Sequence, residues 1–357
     1  MLRPPKRLSL VTQTADLLRE HLVTRPAGEK LASERELGHQ LGVSRMTLRA
    51  ALATLAREGL IRAGQGRSRV LVKPGPRASH RSGPRDVVLL SPVPLQEIEP
   101  RVLFWIDELR DTLAKERCAL QVLDYRSCYS NRPQRALEKL AGRLRPSAWV
   151  LFQATPSMQA WFMARGLPTV NAGSCYEGIR LPAVDVDYRA ASIHAVGRFL
   201  ANGHRCLALV QPKRIFAGGL RTEAGFACAG VSAGPEVETV AAQHDGSVEG
   251  ICATLDRLLA RPRPPTAFLV CRPGNALTAL GHLVQRGLRF PANAALISRD
   301  DDAFLELVVP SMARYRADLV LFATKLAHLV LEFTAGGNPH PREHLLMPRF
   351  IPGQTLK

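Results

Sequence analysis

Ser33-Glu34-Arg35-Glu36-Leu37-Gly38-His39-Gln40-Leu41-Gly42-Val43-Ser44-Arg45-Met46-Thr47-Leu48-Arg49 is the stretch from which the chain is best read. The Ser33 hydroxyl can accept from an orphan backbone N–H of a helix start, and Glu36, three residues on, can reach back to complete a capping box. Leu41-Gly42 ends that helix, because glycine tolerates the left-handed conformation of a sharp turn. Val43-Ser44 then supplies a hydrophobic entry and a fresh cap for a second helix over about 45–58. This is helix-turn-helix spacing. In the second helix Leu48, Ala51, Leu52 and Leu55 fall at i, i+3, i+4 and i+7, so one face must be buried.

The opposite face begins with Arg45, Thr47 and Arg49. The first turns of a helix laid in a major groove reach base edges; arginine bonds two guanine acceptors at once, and threonine offers a hydroxyl and a methyl. After Leu60-Ile61, Arg62-Ala63-Gly64-Gln65-Gly66-Arg67-Ser68-Arg69 reads as a two-stranded wing with glycines at its tip. A basic tip suits a phosphate backbone or a minor groove. Charge agrees. Residues 1–85 hold 17 Lys+Arg against 6 Asp+Glu, so most of the formal net charge of +17 lies in the first quarter of a chain with pI near 10.3. That concentration is the footprint of phosphate binding.

Residues 28 to 72 resemble the winged helix-turn-helix of the GntR family of bacterial transcription regulators. Gly28 to Glu36 is similar to that family's Gly-x-x-Leu-Pro-Ser-Glu-Arg-Glu, and Leu41 to Arg49 to its Leu-Gly-Val-Ser-Arg-x-Thr-Val-Arg. Gly59-Leu60-Ile61 and Gly64-Gln65-Gly66-Arg67 resemble its helix exit and wing tip. The resemblance implies DNA contacts from Arg35, Ser44, Arg45, Thr47 and Arg49, with Gln65, Gly66 and Arg67 at the wing. Ala32 stands where the family usually has proline, a change that removes no contact group.

A length of 357 residues with 46% hydrophobic and 22% charged residues suits two or three globular domains. The basic N-terminus leads into no apolar signal core. No window reaches the roughly 18 apolar residues of a membrane span, and the most apolar late stretch, residues 319–333, is broken by Lys325, His328 and Glu332. The expectation is a cytoplasmic protein without membrane contact. Seven cysteines are scattered with no Cys-x-x-Cys pair, which predicts mostly buried thiols rather than disulfides or zinc. The ten histidines show no helical pairing with a glutamate. No metal, cofactor or catalytic residue is expected.

Ahead of the motif, Val11, Ala15, Leu18 and Leu22 form an apolar stripe that should pack under the second helix and can aid dimerisation. From Lys73 the chain is dense in Pro, Gly, Ser and Arg, as an interdomain linker is. The expected boundaries are a winged helix-turn-helix at 1–72, a linker at 73–85 and an α/β body at 86–357. In the body, strands at 87–90, 120–123, 149–152 and 169–171 alternate with helices at 101–116, 133–143 and 157–165. The pattern restarts with a helix at 189–201 and strands at 206–210, 267–270 and 294–297, set among helices near 222–229, 248–259 and 275–286. Short apolar strands separated by amphipathic helices mean parallel sheets with right-handed crossovers. The fold class is therefore α/β: a winged helix-turn-helix followed by two tandem Rossmann-like subdomains, with a ligand crevice expected outside the carboxyl ends of their strands.

Residues from about 86 to 353 resemble the effector domain of LacI-type regulators, which share the type I periplasmic-binding-protein fold. The resemblance rests on Val186-Asp187-Tyr188, on Leu200-Ala201-Asn202-Gly203-His204-Arg205-Cys206-Leu207-Ala208-Leu209, on Gly225-Phe226, on Gly287 to Pro291, and on Ala295-Leu296-Ile297 followed by Asp300-Asp301. A GntR-type head on such a body resembles the arabinose-repressor type of fused regulator. It implies a ligand-responsive regulator, a repressor by default, binding a palindromic double-stranded DNA operator as a homodimer and sensing a small molecule, a sugar or sugar derivative. Two departures bear on the ligand. Thr222 stands where the family commonly has an effector-gripping arginine, with Arg221 one step earlier, and Ser298-Arg299 precede the aspartates. Asp300 is a candidate acceptor for vicinal hydroxyls, while Arg299 can pair with it or favour an anion. Phe104, Trp105, Tyr125 and Trp161 are candidates to stack on a sugar face, and core packing is the alternative for each.

Two other readings remain open at this stage. The altered positions allow a body that has lost its ligand and only dimerises. A body fused to the head in the manner of pyridoxal-phosphate enzymes needs a Schiff-base lysine. After residue 85 only Lys115, Lys139, Lys213, Lys325 and Lys357 remain, which weighs against it.

Overall fold

The computed structural model describes residues 11, 14, 15, 17, 18, 31–57, 61–63, 69–71, 85–213 and 216–357. The wing-tip candidates Gln65, Gly66 and Arg67, the stripe residue Leu22 and the segment 73–84 lie outside them. The chain divides into two compact units, residues 1–81 and 82–357.

In the first unit Ser33 caps helix α1 (Glu34–Leu41), its hydroxyl accepting from the Glu36 N–H at 3.2 Å. Gly42 closes the helix at φ 62°, where its N–H and that of Val43 are satisfied by the last carbonyls. Ser44 caps α2 (Arg45–Arg57), accepting from the Thr47 N–H. Leu48, Ala51, Leu52 and Leu55 of α2 are fully buried against Leu37, Ala15, Leu18 and Ile61, so the apolar stripe read from spacing is the core of this unit. Strands β1 (Ile61–Ala63) and β2 (Arg69–Leu71) pair antiparallel, Ile61 opposite Leu71.

The second unit contains two six-stranded sheets. The first holds β3 (Arg85–Ser91), β4 (Cys118–Asp124), β5 (Ala148–Phe152), β6 (Thr169–Ala172), β7 (Ala183–Val186) and β13 (Glu343–Leu346) in the order β13-β7-β6-β5-β3-β4, all parallel. The second holds β8 (Cys206–Pro212), β9 (Glu238–His244), β10 (Ala267–Val270), β11 (Ala295–Ser298), β12 (Ala313–Arg316) and β14 (Arg349–Ile351) in the order β14-β12-β11-β10-β8-β9, with only β14 antiparallel. Period-2 side-chain alternation divides each strand between two layers. Val87 and Leu89 enter one core cluster, Val88 and Leu90 the other; Leu207 and Leu209 likewise separate from Ala208 and Val210. Both faces of each sheet are therefore covered, which is why these strands read as continuous apolar runs.

The two subdomains are not simply consecutive. The chain leaves the first sheet after β7, returns after β12 through helix α10 (Leu319–Thr334), lays down β13 and crosses again to β14. α10 packs on α3 (Pro100–Lys115), burying Phe322, Leu326 and Val330 in the first subdomain's core. Sequence spacing reveals neither β9 nor these late crossings, because β9 is half exposed and β12 to β14 are three or four residues long. In both sheets the second and third strands of the unit (β4 and β5, β9 and β10) lie on opposite sides of the first (β3, β8), so the order of strand addition reverses beside the first strand. That reversal is the switch point where α/β sheets leave a crevice.

Two helices of the second subdomain approach closely at Gly225. In α7 (Ala217–Ser232), a Cβ at Gly225 would lie 2.5 Å from the Arg189 carbonyl oxygen of α6 (Tyr188–Ala201). Backbone cannot yield cheaply there. Gly225→Ala is expected to destabilise the body by about 1–3 kcal/mol through overpacking, read as a lower urea midpoint with an unchanged m-value.

Candidate functional site

On the first unit, the buried Leu48-Leu52-Leu55 stripe turns the other face of α2 outward. Arg45 and Arg49 are exposed, as is Arg35 on α1. Ser44 and Thr47 are joined at the helix start, their hydroxyls 2.9 Å apart, so Thr47 also serves the cap. Arg49 is not a free cation. Its Nε donates to Glu34 Oε2 at 2.8 Å. The bond uses one of the five guanidinium N–H donors and fixes where the others are presented to a phosphate or base. The pairing raises the guanidinium's pKa, through the hydrogen bond to Glu34 and its charge.

In the body, the carboxyl ends of the switch-point strands line a cleft of about 310 Å³ between the two sheets. Gln153 follows β5, Asn171 lies in β6, Gln211 lies in β8 and Arg272 follows β10. Gln153 and Arg272 adopt left-handed backbone, φ 51° and 70°, and such strain concentrates at binding sites. The cleft shares Arg101, Tyr188 and Arg299 with a second cavity of about 670 Å³, lined by parts of all three interdomain crossings.

The wall between the two cavities is an ion cluster. Asp300 Oδ2 accepts from Arg299 Nε at 3.1 Å, from Arg299 Nη2 at 2.9 Å and from the Arg272 backbone N–H at 3.0 Å. Its Oδ1 lies 3.3 Å from Arg101 Nη1. Arg299 Nη1 donates to the Thr222 hydroxyl at 3.0 Å, and the guanidinium lies 4.2 Å from the Tyr188 ring centroid, a cation–π contact. The Asp300 side chain is 2% exposed and that of Arg299 10%. Burial by itself would raise the Asp300 carboxyl, but Arg299 and then Arg101 outweigh it and hold the group below the usual carboxylate range. Asp185, also buried, is pushed upward by burial against the opposing hydrogen bond it accepts from Ser174 Oγ at 2.6 Å.

The structure revises several sequence-based assignments. Asp300 does not present open acceptors, because Arg299 folds back on it and Arg101 closes the other oxygen. Thr222 is fully buried behind Arg299, donating to the Gly218 carbonyl, and Arg221 pairs with Glu343 rather than lining the cleft. Trp105 is a core residue, 5.8 Å from Phe152 and 5.3 Å from Phe322, because its position on α3 faces the sheet. Trp161 packs on Phe162, and Tyr125 packs against the same second core cluster. Phe104 is exposed and lines the second cavity. Spacing did not single out Gln153, Asn171, Gln211, Arg272 or Arg101. Their signal was a polar residue at the carboxyl end of an apolar strand, or at the first turn of the following helix.

Two parts of the chain match known families: residues 10–71 the bacterial regulatory proteins of the gntR family, and residues 196–356 the periplasmic binding protein-like domain. The chain carries a GntR-type head and a periplasmic-binding-protein-like body. Among curated relatives it is 27% identical over 154 residues to the probable HTH-type transcriptional repressor ExuR of Bacillus subtilis, covering 40% of this chain and 45% of the relative. It is 30% identical over 140 residues to the HTH-type transcriptional regulator AglR of Rhizobium meliloti, covering 39% of each. The chain thus spans about half the length, or less, of these relatives, both named as regulators and neither by an enzymatic activity. Among solved structures, the transcriptional regulator CelR–cellobiose complex superposes with a TM-score of 0.66 at 18% identity, over 98% of this chain and 100% of that one. A LacI family regulator from Bifidobacterium animalis gives 0.65 at 18% identity, over 77% and 98%. These likenesses establish a LacI-like fold for the body. Among the described residues no helix is long and apolar enough to cross a membrane, and no group of three or more His, Cys, Asp or Glu is placed to hold a metal ion.

Asp300→Asn removes the charge that compensates the Arg299 guanidinium and, with Glu99, the partly buried Arg101 guanidinium. It is expected to cost about 3–5 kcal/mol at neutral pH, as breaking a buried pair does. In the parent chain the depressed carboxyl contributes stability that is complete above the unfolded carboxylate pKa of about 4 and is lost as pH falls through the lower folded value. Urea midpoints should therefore fall more steeply between about pH 5 and pH 2 in the parent than in Asp300→Asn. Equal slopes would remove Asp300 from this role.

Proposed function

We propose that this chain is a cytoplasmic, ligand-responsive transcription regulator: its head binds a palindromic operator as part of a homodimer, and a small polyhydroxylated effector in the cleft changes operator affinity. The carrying observation is the outward Arg45 and Arg49 of α2, held by a buried leucine stripe, in one chain with a polar-lined cleft at the switch points of two sheets. The gntR-family match and the regulator relatives support DNA as the partner. A LacI-like neighbour solved with cellobiose, together with the amide-rich lining, supports a sugar-like ligand. Repression is the sense carried by the relative named a repressor. The body's ion pairs supply a route for coupling, because Arg101–Asp300 and Arg221–Glu343 each join one subdomain to the other. A ligand that binds one cleft geometry better than another shifts their populations, and operator must then act on ligand by the same factor.

A second reading has one observation in its favour. Asp300 is already satisfied by Arg299 and Arg101, so the body can be a dimerisation module whose cleft binds nothing.

Two measurements separate these readings. Selection of duplex DNA on the purified protein should return a palindrome, and Arg45→Ala should weaken binding to it by about 1–3 kcal/mol while relaxing base preference at one position per half-site. An equal loss on all sequences would reassign Arg45 to phosphate contact. A thermal-shift screen with sugars, sugar acids and nucleosides should give a ligand that raises Tm, since binding to the folded state alone stabilises by mass action. Intact DNA binding with no shift across the panel would favour the dimerisation module.

A further inference from the structure

Among the described residues, the cleft keeps two side-chain acceptors and one guanidinium without partners. Asn171 Nδ2 donates to the carbonyls of Gly173 at 2.6 Å and Ser174 at 2.9 Å, and Gln211 Nε2 donates to Glu223 Oε2 at 2.9 Å. These bonds fix the orientation of both amides, because the reverse orientation would set oxygen against oxygen. Asn171 Oδ1 and Gln211 Oε1 are left buried with no hydrogen-bond partner. Five buried side-chain polar atoms are orphaned among the described residues, and these two share one cleft. A buried acceptor without a partner costs on the order of 1–3 kcal/mol, and each can be satisfied only by a donor. Hydroxyl groups are such donors.

Arg272 supplies the charge. The other two arginines of the cleft are compensated, Arg299 by Asp300 and Thr222, Arg101 by Asp300 and Glu99. The Arg272 backbone N–H is spent on Asp300, but its half-buried guanidinium has no hydrogen bond or ion pair among the described residues. It stands in left-handed backbone immediately before the 13-residue helix Pro273–Gln285, whose positive end adds to the same field. A planar guanidinium left open in a cleft is matched by a carboxylate or phosphate, which accepts two parallel N–H bonds. The cleft volume lies at the small end of ligand pockets.

We propose that the effector is an anionic polyol of about monosaccharide size, its carboxylate or phosphate held by Arg272 and its hydroxyls donating to Asn171 and Gln211. This rests on the cleft being the effector site, and selects within it an anion over the neutral sugar. Arg272 is then the residue that sets specificity, and the self-satisfied Arg299–Asp300 pair is wall rather than contact.

The test uses the full-length protein and matched probes: hexuronates, aldonates and hexose 6-phosphates, each beside its neutral parent hexose, by thermal shift and then calorimetry. At least one anion is expected to raise Tm where its neutral parent does not, and the carboxylate and phosphate arms tell which anion it is. Arg272→Gln should keep the parent's unliganded Tm and weaken that anion by about tenfold or more, the size of a lost charge-assisted bond. Gln211→Leu should weaken the same ligand without restoring preference for the neutral parent. A neutral hexose that binds as tightly as its anion, or an anion affinity unchanged in Arg272→Gln, overturns the anion proposal and leaves the cleft as the effector site. Silence from every probe overturns both.

Discussion

The Asp300 carboxylate is the constraint around which the body is arranged. It lies just past the end of β11 in the second subdomain and receives a guanidinium from the first through Arg101, a second from its chain neighbour Arg299, and the strained backbone N–H of Arg272. A buried carboxylate with fewer partners would be neutralised rather than tolerated. Meeting that requirement ties three elements into one wall, which separates the cleft from the cavity at the crossings. It also explains why Thr222 is small. Arg299 fills the space above it and takes its hydroxyl, so a guanidinium reaches this region from a strand end rather than from helix α7.

From that wall the division of labour in the cleft follows. Charges near Asp300 are spent on one another, which makes that side rigid. Elsewhere in the lining, the Asn171 and Gln211 side-chain oxygens and the Arg272 guanidinium keep unspent hydrogen-bonding capacity among the described residues, although the Arg272 backbone N–H belongs to the Asp300 wall. Rigidity at that wall and open valence elsewhere is the arrangement expected of a preorganised binding site. The head shows a related arrangement: Glu34 holds Arg49 through its Nε on the exposed face of α2, which positions the side chain for a phosphate or base.

Much of this was legible in residue order. The capping serine and the glycine at φ 62° bracket α1 as spacing required, and the leucine stripe of α2 is the buried one. In the body the apolar strands were legible because both faces of each sheet are covered, and the helices were legible from 3.6-residue periodicity. The late crossings were not. β12, β13 and β14 are too short to carry a period, and each joins a sheet begun more than a hundred residues earlier, β12 and β14 the one begun at Cys206 and β13 the one begun at Arg85.

What the sequence by itself determined is the local grammar: caps, turns, the outward arginines of the head, and an alternation that makes the α/β sheets predominantly parallel. Those features depend on contacts within a turn or two, and chain order encodes them directly. Only the tertiary structure decided which polar groups meet. Arg101 and Asp300 are separated by most of the body, and whether Arg299 turns toward ligand or toward Asp300 depends on the field and space the assembled fold provides. The same holds for Trp105, whose ring goes to the core because α10 arrives from late in the chain to cover it. A side chain's type sets what it can bond; only the folded neighbourhood sets what is left for a ligand.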